Sequence, residues 1–455
     1  MDLPDGLVAV VKRDCPTCQL AAPVLAELHR AGVPLTVFSQ DDPSFPEGLP
    51  VRDDTPLEIS YRLGIDIVPT LIRVSDGQPR QRIEGWHRGE WRALSGIADL
   101  GSALPEQRPG CGSLTVEPAI AERLAAQFGA DRLAARRVTI GDDEDDAEAC
   151  YARGWSDGLP VVAPTPERVL RMLSGTTRAP SEIVAIVPPD LAECTVEKVA
   201  INAVLAGCKP EYLPVVLAAV EAACTDDFNI HGVLATTHFV GPVVIVNGPL
   251  ARDIDMNWGL NALGQGNRAN ATIGRALQLV IRNVGGGRPG GVDRATLGNP
   301  GKYTFCSAED EVGSPWESLA VERGLAAGRS AVTLFAGEGV QGIVDQKSRT
   351  PESLAKSFAL CLRAVDHPKL AMAGDAVLVV SPEHSRVFIE AGWSKARLLD
   401  ELTALLTFDA DAMLAGAGGI AEGLPAALAG KKVTKFRPGG LLIVRAGGSA
   451  GLFSA

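Results

Sequence analysis

The sequence predicts an α/β protein in two parts, a small amino-terminal domain followed by a larger α/β region. Three observations predict it. Apolar runs of strand length alternate with stretches of helical spacing along the whole chain. A Cys-x-x-Cys stands where the first such run meets the first helical stretch. A Pro- and Gly-rich break follows residue 104, in a chain whose 455 residues exceed what one ordinary core holds.

The elements of the smaller domain come in a simple order. Residues 7–12 are an apolar run that reads as a strand, and residues 19–30 carry Leu20, Val24, Leu25 and Leu28 at helical spacing. Gly32-Val33-Pro34 stops that helix, and residues 35–38 read as a second strand. A short helix is expected over 57–63. Residues 67–74, Asp76-Gly77 and residues 81–84 read as strand, turn and strand, and a last helix covers about 89–97. The expected order is β-α-β-α-β-β-α, occupying residues 1–104.

Residues 105–150 read as a linker holding a helix over Glu117–Arg136 and a solvated acidic run, Asp142-Asp143-Glu144-Asp145-Asp146. From 151 to 455 the alternation resumes as a large α/β domain. Two stretches within it, about 180–300 and 330–400, look like copies of one unit. Each has a helix, an apolar strand (243–246, then 376–380), a Pro turn and a Trp-Gly pair.

Composition narrows the function classes. The net charge is −12 and no basic run occurs, so nucleic acid is not expected as a partner. The apolar runs are too short to cross a bilayer and the first residues carry no leader pattern, so the expectation is a cytoplasmic protein without membrane contact. Nine scattered cysteines read as catalytic or buried thiols rather than as a disulfide framework.

Cys15-Pro16-Thr17-Cys18 carries the clearest chemistry. A thiolate at a helix amino terminus is stabilised by free backbone N–H groups and by the helix dipole, which lowers the pKa of the first cysteine. Cys15 is therefore the expected nucleophile and Cys18 the resolving thiol of a redox-active dithiol. Half a zinc site is the other reading, yet no second Cys pair or His pair lies in this domain; His29 and His87 are single.

The dithiol after a first strand, Val68-Pro69-Thr70 before a later one and Glu84-Gly85-Trp86 after the hairpin together resemble the thioredoxin superfamily. The resemblance covers residues 1–104. It implies a cis-proline at Pro69 facing the dithiol, with Val68 pairing to an incoming partner. Arg13-Asp14 stands where that superfamily carries a Trp, a departure that fits a dedicated, fused partner.

The larger region holds dense polar motifs, among them Trp155-Ser156-Asp157-Gly158-Leu159-Pro160, Ala235-Thr236-Thr237-His238 and Asn267-Arg268-Ala269-Asn270. Over roughly 150–400 these resemble a widespread bacterial family, some members of which accompany selenocysteine- or cysteine-containing redox modules. The resemblance implies no particular reaction.

Residue by residue, Asn267, Arg268 and Asn270 open a helix and read as binders of an anionic group or as ordinary caps. Asn247 joins them as a substrate-binding candidate in Asn247-Gly248-Pro249. His238, after a strand-like Val233-Leu234-Ala235, and Glu309, beside Asp310 and Glu311, are the acid–base candidates. Cys111, in Gly110-Cys111-Gly112-Ser113, and Cys306 are the two cysteines that the dithiol would serve. The acidic neighbours of Cys306 are expected to raise its pKa. His231 and His384 are weaker candidates. Cys208, Cys224, His231 and His238 match no zinc spacing, so no metal ligand is assigned and no cofactor is required beyond the dithiol.

The expected function is a thiol-dependent oxidoreductase. The dithiol would supply reducing equivalents to a cysteine in a catalytic domain that acts on a small, anionic substrate, with an external disulfide reductant as partner. Two alternatives remain open: a small-molecule or metal-binding redox sensor, and a non-redox lyase or hydrolase using His238 and Glu309.

Overall fold

The strands and helices are those of a computed structural model that describes residues 3–129, 133–141 and 143–455. Contacts divide the chain into two units, Met1–Ala134 with Thr165–Arg171, and Ala135–Pro164 with Met172–Ala455. The first unit thus extends past residue 104 and takes in the segment expected as a linker as far as Ala134, the rest of it falling in the second unit.

In the first unit β1 (Gly6–Val11), α1 (Pro16–Arg30), β2 (Leu35–Ser39), β3 (Val51–Asp53) and α2 (Glu58–Arg62) are followed by β4 (Ile67–Val68), β5 (Thr70–Ser75), β6 (Gln78–Glu84), β7 (Trp86–His87) and α3 (Arg88–Ser95). Then come β8 (Gln107–Arg108), β9 (Cys111–Gly112) and α4 (Pro118–Phe128). Five strands form one sheet in the order β3-β2-β1-β5-β6. The pairs β1/β2 and β2/β3 are parallel, whereas β1/β5 and β5/β6 are antiparallel.

The expected order lacked β3, β7, β8 and β9, none of which exceeds three residues, too few to show an apolar period. The strand expected over 67–74 is divided at Pro69 into β4 and β5. Of the helix expected over Glu117–Arg136, Pro118–Phe128 is helical, while residues 130–132 and Asp142 of the acidic run lie outside the described residues.

α1 begins where its sequence allows. Pro16 occupies the first turn, where its missing N–H costs nothing, and Cys15 caps it with extended backbone. Its buried face (Cys18, Ala21, Val24, Leu25 and Leu28) packs with β1 and β5 in one core that also holds Trp86 and Trp91. These two rings meet edge to face, 5.1 Å apart. Trp86 Nε1 donates to the Pro105 carbonyl at 2.7 Å and Trp91 Nε1 to the Gly85 carbonyl at 3.1 Å, so both polar edges are satisfied. Gly101 has φ +63°, and a Cβ there would strike the Trp86 ring. The Trp86 ring therefore directs the chain out of α3 towards β8 and β9.

The second unit contains α5 (Asp146–Ala152), part of α6 (Pro166–Leu173), β10 (Ile183–Val187), β11 (Ala192–Thr195), α7 (Val196–Ala206), α8 (Leu213–Ala223), α9 (Ile230–Ala235), β12 (Gly241–Asn247), α10 (Pro249–Asp253) and α11 (Arg268–Asn283). It continues with β13 (Cys306–Ala308), α12 (Leu319–Glu322), β14 (Ala331–Gly337), β15 (Ile343–Val344), α13 (Pro351–Arg363), β16 (Ala376–Val380), α14 (Pro382–Glu390), α15 (Lys395–Leu405), β17 (Thr407–Asp409), β18 (Lys432–Thr434), β19 (Leu441–Arg445) and β20 (Phe453–Ser454).

β12 lies between β13, to which it is parallel, and β14, to which it is antiparallel. β16 runs parallel to β19. Side chains alternate across these strands. Leu378, Val380, Leu441 and Ile443 enter a core with Phe358, Phe388 and Trp393. Val377, Val379, Leu442 and Val444 turn the other way, towards Val243 and Ile245 of β12.

Val233-Leu234-Ala235 is helical, not a strand. Asn229 caps α9 by accepting from Gly232 N at 3.0 Å, and a three-residue apolar run cannot by itself distinguish the two states. No helix among the described residues is long and apolar enough to cross a membrane.

Replacing the fully buried Trp86 leaves a cavity and an orphaned Pro105 carbonyl. Trp86→Ala is predicted to cost about 3–5 kcal/mol. Amide exchange in β1 and β5 of the full chain measures it; unchanged protection there would contradict the packing argument.

Candidate functional site

β1 and α1 place Cys15 and Cys18 at a turn against β4. Cys15 Sγ lies 3.3 Å from the Cys18 amide and 3.5 Å from the Val68 carbonyl oxygen, and the Lys12 amide approaches Cys18 Sγ at 3.5 Å. The Val68–Pro69 peptide is cis. Both cysteines are buried.

The third member of the site comes from the segment that the sequence leaves as a flexible linker. It is not free. Ile67 and Val68 pair antiparallel with Gly112 and Cys111. Thr17 Oγ1 donates to the Pro109 carbonyl at 2.7 Å, and Ser113 N donates to the Asp66 carbonyl at 2.9 Å. Gly110 needs its missing side chain, because a Cβ would collide with Ile67 Cγ2 and with the Val68 carbonyl. Beyond it, buried Gln40 donates to Ser60 Oγ at 2.8 Å and Ser113 Oγ at 2.7 Å, and it accepts from Leu114 N at 3.1 Å. Thr115 Oγ1 donates to the Ile65 carbonyl. The strand is tied down on both sides of Cys111, which pairs with Val68, the residue whose carbonyl lies 3.5 Å from Cys15 Sγ.

The electrostatics separate the three thiols. The Cys18 thiol, then Cys111 and the Cys18 and Thr17 amides, hydrogen-bond the Cys15 sulfur and hold its pKa at about 5 against the opposing effect of burial. Burial pushes Cys18 far up, and the Cys15 sulfur adds to that rise. Cys111 is raised by burial and by its contact with Cys15. One thiolate flanked by two thiols is the resting arrangement at neutral pH.

The second unit holds a cavity of about 780 Å³ between β12–β14 and the pair β16–β19, with His238 and Glu309 both in its lining. Glu309 is buried and fixed: it accepts from Asn247 Nδ2 at 2.7 Å, Leu319 N at 2.8 Å and Lys395 Nζ at 3.4 Å. Asn247 also donates to Glu311 at 3.0 Å, and its Oδ1 has no partner among the described residues. His238 is exposed, with Nε2 3.0 Å from Glu338 Oε2.

The remaining candidates lie elsewhere. Asn267 caps α11 through Asn270 N, Asn270 bridges Asn257 and Ala262, and Arg268 Nε donates to the Gly207 carbonyl at 2.9 Å. Their polar atoms serve the backbone. Cys306 is buried in β13, and its pKa is raised by burial, with Cys208 adding to it; the acidic neighbours expected to raise it are not the cause. His384 is a satisfied core side chain, bonded to Ser454 Oγ at 2.7 Å and the Asp345 carbonyl at 3.0 Å. His231 is exposed on α9.

Cys208, Cys224, His231 and His238 do not converge. The group of possible ligands that does, among the described residues, is His238 with Glu338 and Asp366. Sequence reasoning misses Glu338 and Asp366; a Glu between two glycines directly after a strand (Gly337-Glu338-Gly339) is the one available signal. It also misses Thr17 and Gln40.

The chain matches no family model, and no curated protein matches it at a significant level.

The thiolate of Cys15 is predicted to form in a step centred near pH 5, complete at neutrality and lost as pH falls through that value. The thiolate ultraviolet absorbance of the reduced chain reads it. Cys15→Ser should abolish the step and Cys18→Ala should move it upward, because the side-chain hydrogen bond that most lowers the thiolate's pKa is gone; a step that survives Cys15→Ser assigns it to another group.

Proposed function

We propose that the first unit is a thioredoxin-like dithiol domain and the protein a thiol-dependent oxidoreductase, with Cys15 as nucleophile, Cys18 as resolving thiol and Cys111 as the cysteine they serve. The observation that carries this reading is the pairing of Cys111 with Val68 beside the Cys15 sulfur. The sheet order and the cis peptide before Thr70 support the superfamily assignment. Cys306 fits the role less well, because its thiol is buried and its pKa raised.

The chemistry starts from a Cys111 oxidised by substrate, as a sulfenic acid or a mixed disulfide. The Cys15 thiolate attacks the Cys111 sulfur, and hydroxide or the substrate's thiolate leaves. As the Cys18 sulfur attacks Cys15, its proton goes to the departing Cys111 sulfur, which is released as a thiol. The substrate has then gained two electrons, the Cys15–Cys18 disulfide has lost them, and an external dithiol reductant restores the pair. The proposed substrate is a small-molecule oxidant that reaches Cys111, in a cytoplasmic setting where such reductants are available.

A duplicated unit in the larger region belongs to the same proposal. β12 and β16 each have a parallel neighbour, and each leads into a helix opening on proline, Pro249 in α10 and Pro382 in α14. A non-redox lyase or hydrolase is the second reading, favoured by His238 and Glu309 lining one cavity. That activity would run unchanged in Cys15→Ser, whereas the redox activity would stop.

In Cys18→Ser the exchange is expected to halt at the Cys15–Cys111 bond. Peptide mapping of this variant after mild oxidation tests it. A bond from Cys15 to any other cysteine moves the site, and finding none removes Cys111 from the mechanism.

A further inference from the structure

The structure assigns a divalent-cation site to His238, Glu338 and Asp366 at the rim of the cavity in the second unit. The site is independent of the dithiol.

Strand register builds two of its ligands. Gly241 of β12 pairs with Gly337 of β14 at one end of their ladder, so the chain entering β12 and the chain leaving β14 meet there. His238 and Glu338 stand on those two segments. Asp366 arrives from a third direction, just beyond α13, on a left-handed residue (φ 57°).

One ligand atom from each residue lies within 4.8 Å of the other two, and His238 Nε2 is 3.0 Å from Glu338 Oε2. Two ligands of a tetrahedral ion, each bonded at about 2.0–2.2 Å, sit about 3.4 Å apart. To share one ion, His238 and Glu338, now 3.0 Å apart, would open by about 0.4 Å, and Asp366, within 4.8 Å of both, would close on them.

The charges at the rim leave this place open to a cation. Asp366 makes no ion pair among the described residues. Lys435, close enough to feel its charge, directs its ammonium to the His367 and Leu370 carbonyls at 2.7 and 3.2 Å. The imidazole of His238 packs edge to face on Phe239, 5.4 Å away.

One imidazole nitrogen and two carboxylate oxygens suit a borderline first-row ion such as Mn²⁺, Fe²⁺ or Zn²⁺, whereas thiolates select softer ions. Three protein ligands leave at least one position for water or for an oxygen of a bound molecule. All three residues also line the cavity, whose walls beyond them are mostly apolar, with Val243, Phe305, Phe335, Val377 and Val444 among them. The ligand class that fits is a small molecule with an apolar body and one oxygen-bearing head, the head on the metal.

The test is equilibrium dialysis of the full chain against Mn²⁺. Zn²⁺ is measured in parallel on a chain carrying C15S, C18S and C111S, so that the thiol cluster cannot compete. One ion per chain is expected. Glu338→Gln and Asp366→Asn should each weaken binding about tenfold or more, a loss that even an outer-shell partner produces. Glu352→Gln, an exposed carboxylate on α13, should leave it unchanged, and circular dichroism should show all three variants folded. Binding that both rim variants leave intact would overturn the assignment, as would the absence of saturable binding of both ions.

Discussion

The three-cysteine arrangement of the first unit rests on the short antiparallel pairing of Val68 with Cys111. Each backbone hydrogen bond in such a pair contributes only about 0.5–1.5 kcal/mol net, so the strand needs help to stay. Thr17 and Asp66 hold it on either side, Gln40 anchors Ser113 and Leu114 just beyond it, and Gly110 lets the two backbones approach. The Trp86 ring sets the direction from which the strand arrives. Because the strand is fixed, Cys111 contributes to the hydrogen bonding that keeps Cys15 ionised while remaining a neutral thiol itself. Removing any one anchor would disturb both the position of Cys111 and the acidity of Cys15.

The second unit solves a different problem with the same alternation rule. β12, β16 and β19 each bury both faces, one face on packed helices and the other on the cavity. Strands with two apolar faces hold an apolar pocket rigidly, and the polar groups gather where strands end: Asn247 and Glu309 at one place, His238 and Glu338 at another. Asn247 makes the first group unusual. Its amide donates to two carboxylates while its carbonyl oxygen is buried without a partner among the described residues, a local cost of about 1–3 kcal/mol.

What the sequence revealed was local. The strand, dithiol and helix around Cys15 lie within one continuous stretch, and so do the hairpin and the Asn267 cap. Pairings between distant segments stayed hidden. The small neighbours of Cys111 signal that something can approach closely, as Ile67 and Val68 do at Gly110, but nothing near it signals that its backbone partner is Val68. His238 stood out on a false premise, since the run before it is helical, and its neighbours Glu338 and Asp366 come from segments with no shared pattern. Cys306 looked reactive because polar motifs surround it in sequence, while in space its sulfur is sealed in a core.

The position of Cys111 in the chain also matters for the durability of the unit. A bond between Cys15 and Cys18 spans a single helical turn and scarcely restricts an unfolded chain. A bond between Cys15 and Cys111 would enclose α1 through β8 in a loop of about a hundred residues, for which the chain-entropy account gives about 4.7 kcal/mol of stabilisation. Swapping one bond for the other would tighten or slacken the whole fold without moving a single strand. The unit's tolerance of heat or denaturant would then depend on where the electrons are.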